Sequence, residues 1–198
     1  MNKDIERRVF DMDRIETRDS DGDKPAKLIG HAAIFNKLSD DLGGFKERIA
    51  PGAFADSLGN DVRALFNHNP DLILGRTKAG TLALEEDKRG LRVEIDPPDT
   101  QVARDLMESV KRGDISQMSF GFFTLDDEFE RKRDGTIIRT LKKVDLFDVS
   151  PVTFPAYPQT KIAMRSLETF LAGEPKPENV DLDMRTRKLA LMAHDLTD

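Results

Sequence analysis

The sequence has no cysteine and no tryptophan, one tyrosine, and three histidines in 198 residues. The missing thiols exclude disulfides, a cysteine nucleophile, thiolate zinc sites and iron–sulfur clusters. The few histidines and the carboxylates show no metal-ligand spacing, so neither a metal nor a cofactor is expected. A basic face is also lacking. Lys and Arg number 31 against 37 Asp and Glu, giving a net charge of −6 and a pI near 5.2. That balance speaks against a nucleic-acid binder. No apolar run is long enough for a membrane-spanning helix. The segment Asn2 to Arg8 is charged where a signal peptide would be apolar, so a cytoplasmic protein without membrane contact is expected.

What remains is a chain for one domain with extensions. Its 12 phenylalanines point to a Phe-rich core. Residues 1–27 mix acids and bases and read as a flexible N-terminal arm, although Ile5 to Phe10 has the pattern of an edge strand. Strands are expected over Leu28 to Phe35, at the end of Leu42 to Ile49, over Val62 to Phe66, and in a hairpin of Thr81 to Glu86 with Leu91 to Ile95. A short helix is expected after Pro51-Gly52. A longer one is expected from about Thr100 to Lys111, with Val102, Leu106 and Val110 on one face and Gly113 as its stop. Ile115 to Leu125 and Thr136 to Val149 read as a long hairpin turning at Asp134-Gly135. Ser150 to Tyr157 reads as a shaped loop and Lys161 to Met164 as a last strand. Residues 166–198 read as a linker and an amphipathic tail, with a helix over Asp183 to Asp195. Strands outnumber helices, so the fold class is α+β, mostly β: an antiparallel barrel or sandwich with a few flanking helices.

Three polar residues stand at the edges of these strands: His68, Ser119 and Asp148. A serine hydroxyl is a weak nucleophile until a base takes its proton, and an imidazole held by a carboxylate suits that task. Of the other histidines, His31 lies mid-strand and His194 in the tail. Alternation along the strand puts Ser119, Gly121 and Phe123 on one face, where Gly121 would leave room for a substrate backbone. Asp148 is expected on the same face as Val144 and Leu146, with Asp145 as the competing acid. Ser116 and Ser150 are the competing hydroxyls. Arg76 and Arg165 are candidate helpers for an oxyanion. The charged run Asp126 to Asp134 reads as a solvated hairpin tip.

A series of short motifs carries a resemblance. Gly52-Ala53-Phe54, His68, Leu74-Gly75-Arg76, Gly80-Thr81-Leu82, Arg112-Gly113-Asp114-Ile115, Met118-Ser119-Phe120-Gly121-Phe122, Asp148-Val149-Ser150-Pro151-Val152 and Pro155-Ala156-Tyr157 follow in order. Together they resemble the prohead (procapsid maturation) proteases of HK97-like tailed phages over residues 28–165, the expected protease domain. That family is similar in fold to the herpesvirus assembly proteases, which are β-barrels with flanking helices. The resemblance implies a serine endopeptidase in which His68 is the general base, Ser119 the nucleophile and Asp148 the third member, a position commonly Glu in the family. It implies cleavage of the scaffolding portion of the major capsid protein, and of the protease itself, inside the assembling procapsid in the host cytoplasm. The tail after residue 166 would then be a targeting or self-cleaved segment. Self-association is also allowed, since the herpesvirus relatives act as dimers.

Two rival readings fit the same chain. One is a non-catalytic internal scaffold on the same fold, in which His68 and Ser119 need not meet. The other is a hydrolase of small esters or amides, which would need a deep apolar pocket.

Overall fold

The computed structural model describes residues 5–11, 16–18, 26–154 and 161–173. Ten strands and two helices follow one another: β1 (Glu6–Asp11), β2 (Glu16–Arg18), β3 (Lys27–Ile34), β4 (Lys46–Ile49), β5 (Arg63–Phe66), β6 (Asn69–Arg76), β7 (Leu82–Glu86), β8 (Gly90–Ile95), α1 (Gln101–Arg112), β9 (Gln117–Arg131), β10 (Ile137–Val152) and α2 (Lys161–Gly173). The protein is thus mostly β with two helices. Contacts divide the chain into two units, 1–164 and 165–198.

One sheet runs β1-β9-β10-β5-β6, with β4 also pairing along β10; the other runs β2-β3-β8-β7. Neither sheet closes on itself among the described residues. Pairing is mixed rather than wholly antiparallel, because β4 and β5 both run parallel to β10. The long hairpin β9–β10 is the spine of the first sheet. It turns at Asp134-Gly135, where Gly135 takes a φ of 86°.

The inner faces of both sheets meet in a single core. Leu28, Leu91 and Val93 from one sheet join Phe120, Phe122 and Val149 from the other. Phenylalanines dominate its centre: Phe120 packs edge-on to Phe54 at 5.3 Å and stacks on Phe122 at 4.9 Å. Such rings bury large apolar areas and add pair energies of about 0.5–1.5 kcal/mol each.

Helix α1 has Thr100 as its cap, whose Oγ1 accepts from the Ala103 amide, and Gly113 at φ 83° as its stop. Its buried face is Ala103, Leu106, Met107 and Val110, and Val102 is exposed. Leu106 and Val110 are buried as expected, and Ala103 and Met107 take the place expected of Val102.

Four other expectations need correction. Residues 150–152 are the end of β10, not a loop, and Pro151 is accommodated there within the ladder to β9. Lys161 to Met164 opens helix α2, since Ala163, Met164, Leu167 and Leu171 favour a helix and no β-branched run holds the segment extended. Asn69 to Arg76 is a strand that the Asn69-Pro70 pair concealed. The short helix after Gly52 is a single 3-10 turn, Ala55–Ser57. The expected edge strand over Ile5 to Phe10 forms as β1. Pro155-Ala156-Tyr157, the expected tail helix and His194 lie outside the described residues.

A buried charge network ties β1 to the hairpin. Arg8 Nε donates to Glu47 Oε1 at 2.6 Å and Arg8 Nη2 to Glu6 Oε2 at 2.9 Å. Arg139 donates to Glu6 at 2.9 Å, to Glu47 at 3.0 Å and, through Nε, to Asp127 at 2.6 Å. Burial alone would raise the Glu6 carboxyl. The hydrogen bond and charge of Arg139, with Arg8 and Thr124, outweigh it and hold the group at about 2. Asp127 therefore belongs to this network, although the charged run around it was expected to be wholly solvated.

Candidate active site

Asn67 and His68 form the two-residue turn between β5 and β6, where Phe66 pairs with Asn69. Their φ angles are 55° and 56°, the left-handed region that tight two-residue hairpins require at both positions. Asparagine adopts that region readily; histidine does so at some cost. The turn is clamped to the end of β10. The Asn67 amide donates to Pro151 O at 3.0 Å, its side-chain Nδ2 donates to Thr153 Oγ1 at 3.2 Å, and its Oδ1 accepts from the Thr153 amide at 2.8 Å. Parallel pairing of β5 with β10, Asp148 opposite Arg63, brings this turn alongside the end of the hairpin.

Ser119 sits near the start of β9 and Asp148 near the end of β10. Their closeness depends on a register shift between Leu146 and Asp148. Leu146 pairs with Phe122 and points into the core. One residue is then skipped: Phe147 is 44% exposed, and Asp148 pairs with Gly121. The bulge turns Asp148 to the face carrying Ser119, opposite the face of Val144 and Leu146 where simple alternation had put it.

The three side chains meet on that face. His68 Nε2 lies 2.7 Å from Ser119 Oγ, and Nδ1 lies 2.5 Å from Asp148 Oδ2. With the proton of the neutral ring on Nδ1, His68 donates to the carboxylate and turns an acceptor nitrogen, Nε2, to the hydroxyl. The Ser150 hydroxyl donates to the same Asp148 oxygen at 2.7 Å. Gly121 gives the carboxylate its place: a Cβ there would overlap Asp148 Oδ1. The space beside Ser119 that the sequence suggested for a substrate is therefore filled by Asp148. Ser119 is 0% and Asp148 1% exposed, and the His68 side chain 8%. The Ser119 hydroxyl also faces β1, 3.0 Å from the carbonyl oxygen of Arg8.

Of the competing residues, Ser150 lies in the site as the donor to Asp148, the side chain of Arg165 lies outside the described residues, and the others lie elsewhere. Asp145 accepts from Asn60 Nδ2 at 2.9 Å, Ser116 is exposed ahead of β9, and His31 pairs with Asp87 at 2.8 Å. Arg76 is engaged by Asp61 at 2.7 Å. Among the described residues no group of three or more His, Asp or Glu side chains gathers as metal ligands. A cleft of about 650 Å³ beside α1, lined by Pro97, Pro98, Ala103 and Met107 among others, includes none of His68, Ser119 and Asp148.

Asn67 and the Arg8 carbonyl escaped sequence reasoning as parts of the site, whereas Gly121 was expected to make room for substrate and Ser150 to compete as a hydroxyl, and both instead serve Asp148. Asn67 beside His68 was the one legible sign, since Asn tolerates the left-handed turn.

A hydroxyl, an imidazole and a carboxylate linked in this order are the equipment of a serine peptidase. The chain belongs to the caudovirus prohead serine protease family, whose model matches residues 13–172. Its role is accordingly that of a capsid-maturation protease. The solved structure of the bacteriophage T4 capsid assembly protease, gp21, is similar over 75% of this chain and 95% of that one, with 10% identity and a TM-score of 0.47. No curated protein matches the sequence. No helix among the described residues is long and apolar enough to cross a membrane.

Proposed function

We propose that Ser119 is the nucleophile, His68 the general base and Asp148 the residue that orients it. The observation that carries this is the His68 ring, within hydrogen-bond distance of Ser119 through one nitrogen and of Asp148 through the other. Ser119 Oγ attacks the scissile carbonyl carbon while its proton passes to His68 Nε2. The imidazolium, stabilised by Asp148, then gives that proton to the departing amine, leaving an acyl-enzyme. Water, deprotonated by His68, attacks the ester, and Ser119 regains its proton as the acid leaves. Asp148 reaches the ring without the extra methylene of glutamate because the bulge at Phe147 and the gap at Gly121 bring its backbone close.

The substrate in this reading is the scaffolding portion of the phage's major capsid protein, together with the protease itself, inside the assembling procapsid. The meeting of His68 with Ser119 favours this reading over a scaffold, and the cleft beside α1, which includes none of the three residues, gives no support to a small-ester hydrolase. Co-expression of the capsid protein with the Ser119→Ala chain tests the proposal. Processing should stop; continued processing at the wild-type rate would refute it.

A further inference from the structure

We propose that β1 is an intramolecular plug in the place of the substrate strand, and that the protease works only after β1 has left the edge of β9 and an extended peptide has taken its position. This rests on the reading of Ser119 as nucleophile.

The first ground is access. Ser119 is 0% exposed, so no peptide carbonyl reaches its hydroxyl in this arrangement. The Ser119 hydroxyl oxygen faces two groups: the His68 ring and the Arg8 carbonyl. Strand β1 pairs with β9 over six residues, with Val9 opposite Ser119, so the Arg8–Val9 peptide group lies against the hydroxyl.

The second ground is chemical. A serine hydroxyl has one proton to give. When it goes to the Arg8 carbonyl, 3.0 Å away, it is not shared with His68, and the base has nothing to remove. With β1 in place the nucleophile is both covered and diverted.

The third ground is that β1 is built to leave. Among the described residues it ends its sheet, with β9 as its one neighbour there. Its apolar residues Val9 and Phe10 are partly rather than fully buried, Phe10 stacking on Phe120 at 6.1 Å. Its buried charges come as a pair, Glu6 with Arg8 at 2.9 Å, and those left behind are also paired, Arg139 with Glu47 at 3.0 Å and with Asp127 at 2.6 Å. Separation divides the network into two halves that each keep a salt bridge, avoiding the large penalty of a lone buried charge. Strand β9 stays paired along β10 throughout. The stretch shared with the protease family begins at residue 13, after β1.

The vacated edge would present unpaired amides and carbonyls to an extended peptide, as in β-strand addition. Glu47 and Arg139 would face alternate side chains of that peptide, at the places of Glu6 and Arg8. The occupant is therefore a capsid or scaffold segment with an acidic and a basic residue two positions apart.

Asp11 and Gln117 are paired across β1 and β9. Paired Cα atoms of an antiparallel ladder stand about 4.5–5.5 Å apart, within reach of a disulfide. The double variant Asp11→Cys/Gln117→Cys would carry the protein's only cysteines. Its reaction with a fluorophosphonate serine probe is compared before and after reduction, beside hydrogen exchange of the wild type. The oxidised form should label at least 50-fold more slowly than the reduced form. In the wild type the β1 amides should exchange at least 100-fold faster than those between β9 and β10, as local opening requires. Equal labelling of both forms overturns the plug and leaves the Ser119 reading standing, as does β1 exchange no faster than the β9–β10 ladder. No labelling in either form overturns the Ser119 reading itself and the plug with it.

Discussion

Gly121 stands directly across the β9–β10 pair from Asp148, and the carboxylate oxygen Oδ1 occupies the space a Cβ would take. The acid can approach His68 because its partner strand has no side chain at that one position. Replacement by alanine should leave the sheet folded and push the carboxylate off the imidazole. Misplacement of a catalytic group by about 1 Å costs on the order of 10²-fold. Gly121→Ala should therefore lower kcat/KM by about that factor with an unchanged circular dichroism spectrum. Unchanged activity would mean that Asp148 does not act through this geometry.

The hydroxyl of Ser150 supports the same carboxylate. Ser150→Ala removes a donor to a buried charged group, worth about 1.5–3 kcal/mol. Activity should fall about tenfold, and Ser150→Thr should restore part of it. Peptide-cleavage kinetics of the two variants check this.

The turn that presents His68 depends on backbone conformation at Asn67. Asn67→Gly keeps the left-handed φ and loses the side-chain bonds to Thr153; Asn67→Val loses both and strains a β-branched residue. Denaturant midpoints should fall in the order wild type, Gly, Val. The valine variant should be about 1–2 kcal/mol less stable than the glycine variant. Equal stability of the two would show that the turn is not held by its φ angles.

Acid should weaken the network around Glu6. Its carboxyl titrates at about 2 in the fold against an ordinary 4.5. A lowered folded value means that the stabilisation is complete above the unfolded value and is lost as pH falls from about 4.5 to 2. The shift corresponds to on the order of 3 kcal/mol. Unfolding free energies measured down this range should drop steeply for the wild type and less for Glu6→Gln.

How much of this was legible in the sequence depends on the kind of signal. The hairpin of β7 and β8, the helix α1 with Thr100 and Gly113 at its ends, and the Phe-rich core follow local rules of alternation, capping and composition, and all three appear. The position of His68 at the end of a strand was readable, and so was a strand through Ser119. The face of Asp148 was not. Alternation holds from Val144 to Leu146, after an earlier register shift between Leu141 and Val144, and the bulge at Phe147 then reverses it without a glycine or proline to announce the change. Strand β6 was hidden because Asn69-Pro70 reads as a turn, although Pro70 sits where its missing amide is tolerated. The parallel pairing of β4 and β5 with β10 joins segments about 80–90 residues apart, as in Arg63 with Asp148 and Glu47 with Arg139, and no local pattern encodes it. The association of Glu6, Arg8, Glu47 and Arg139 was illegible for the same reason, since each alone reads as a surface charge.

The central claim is that Ser119 is activated by His68. Peptide mapping by mass spectrometry after reaction with a fluorophosphonate, in the wild type, His68→Ala and Ser119→Ala, tests it directly. The account predicts a single adduct, on Ser119 of the wild type, falling by at least 10³-fold in His68→Ala and absent from Ser119→Ala. An adduct on another serine, or equal labelling of wild type and His68→Ala, would contradict it.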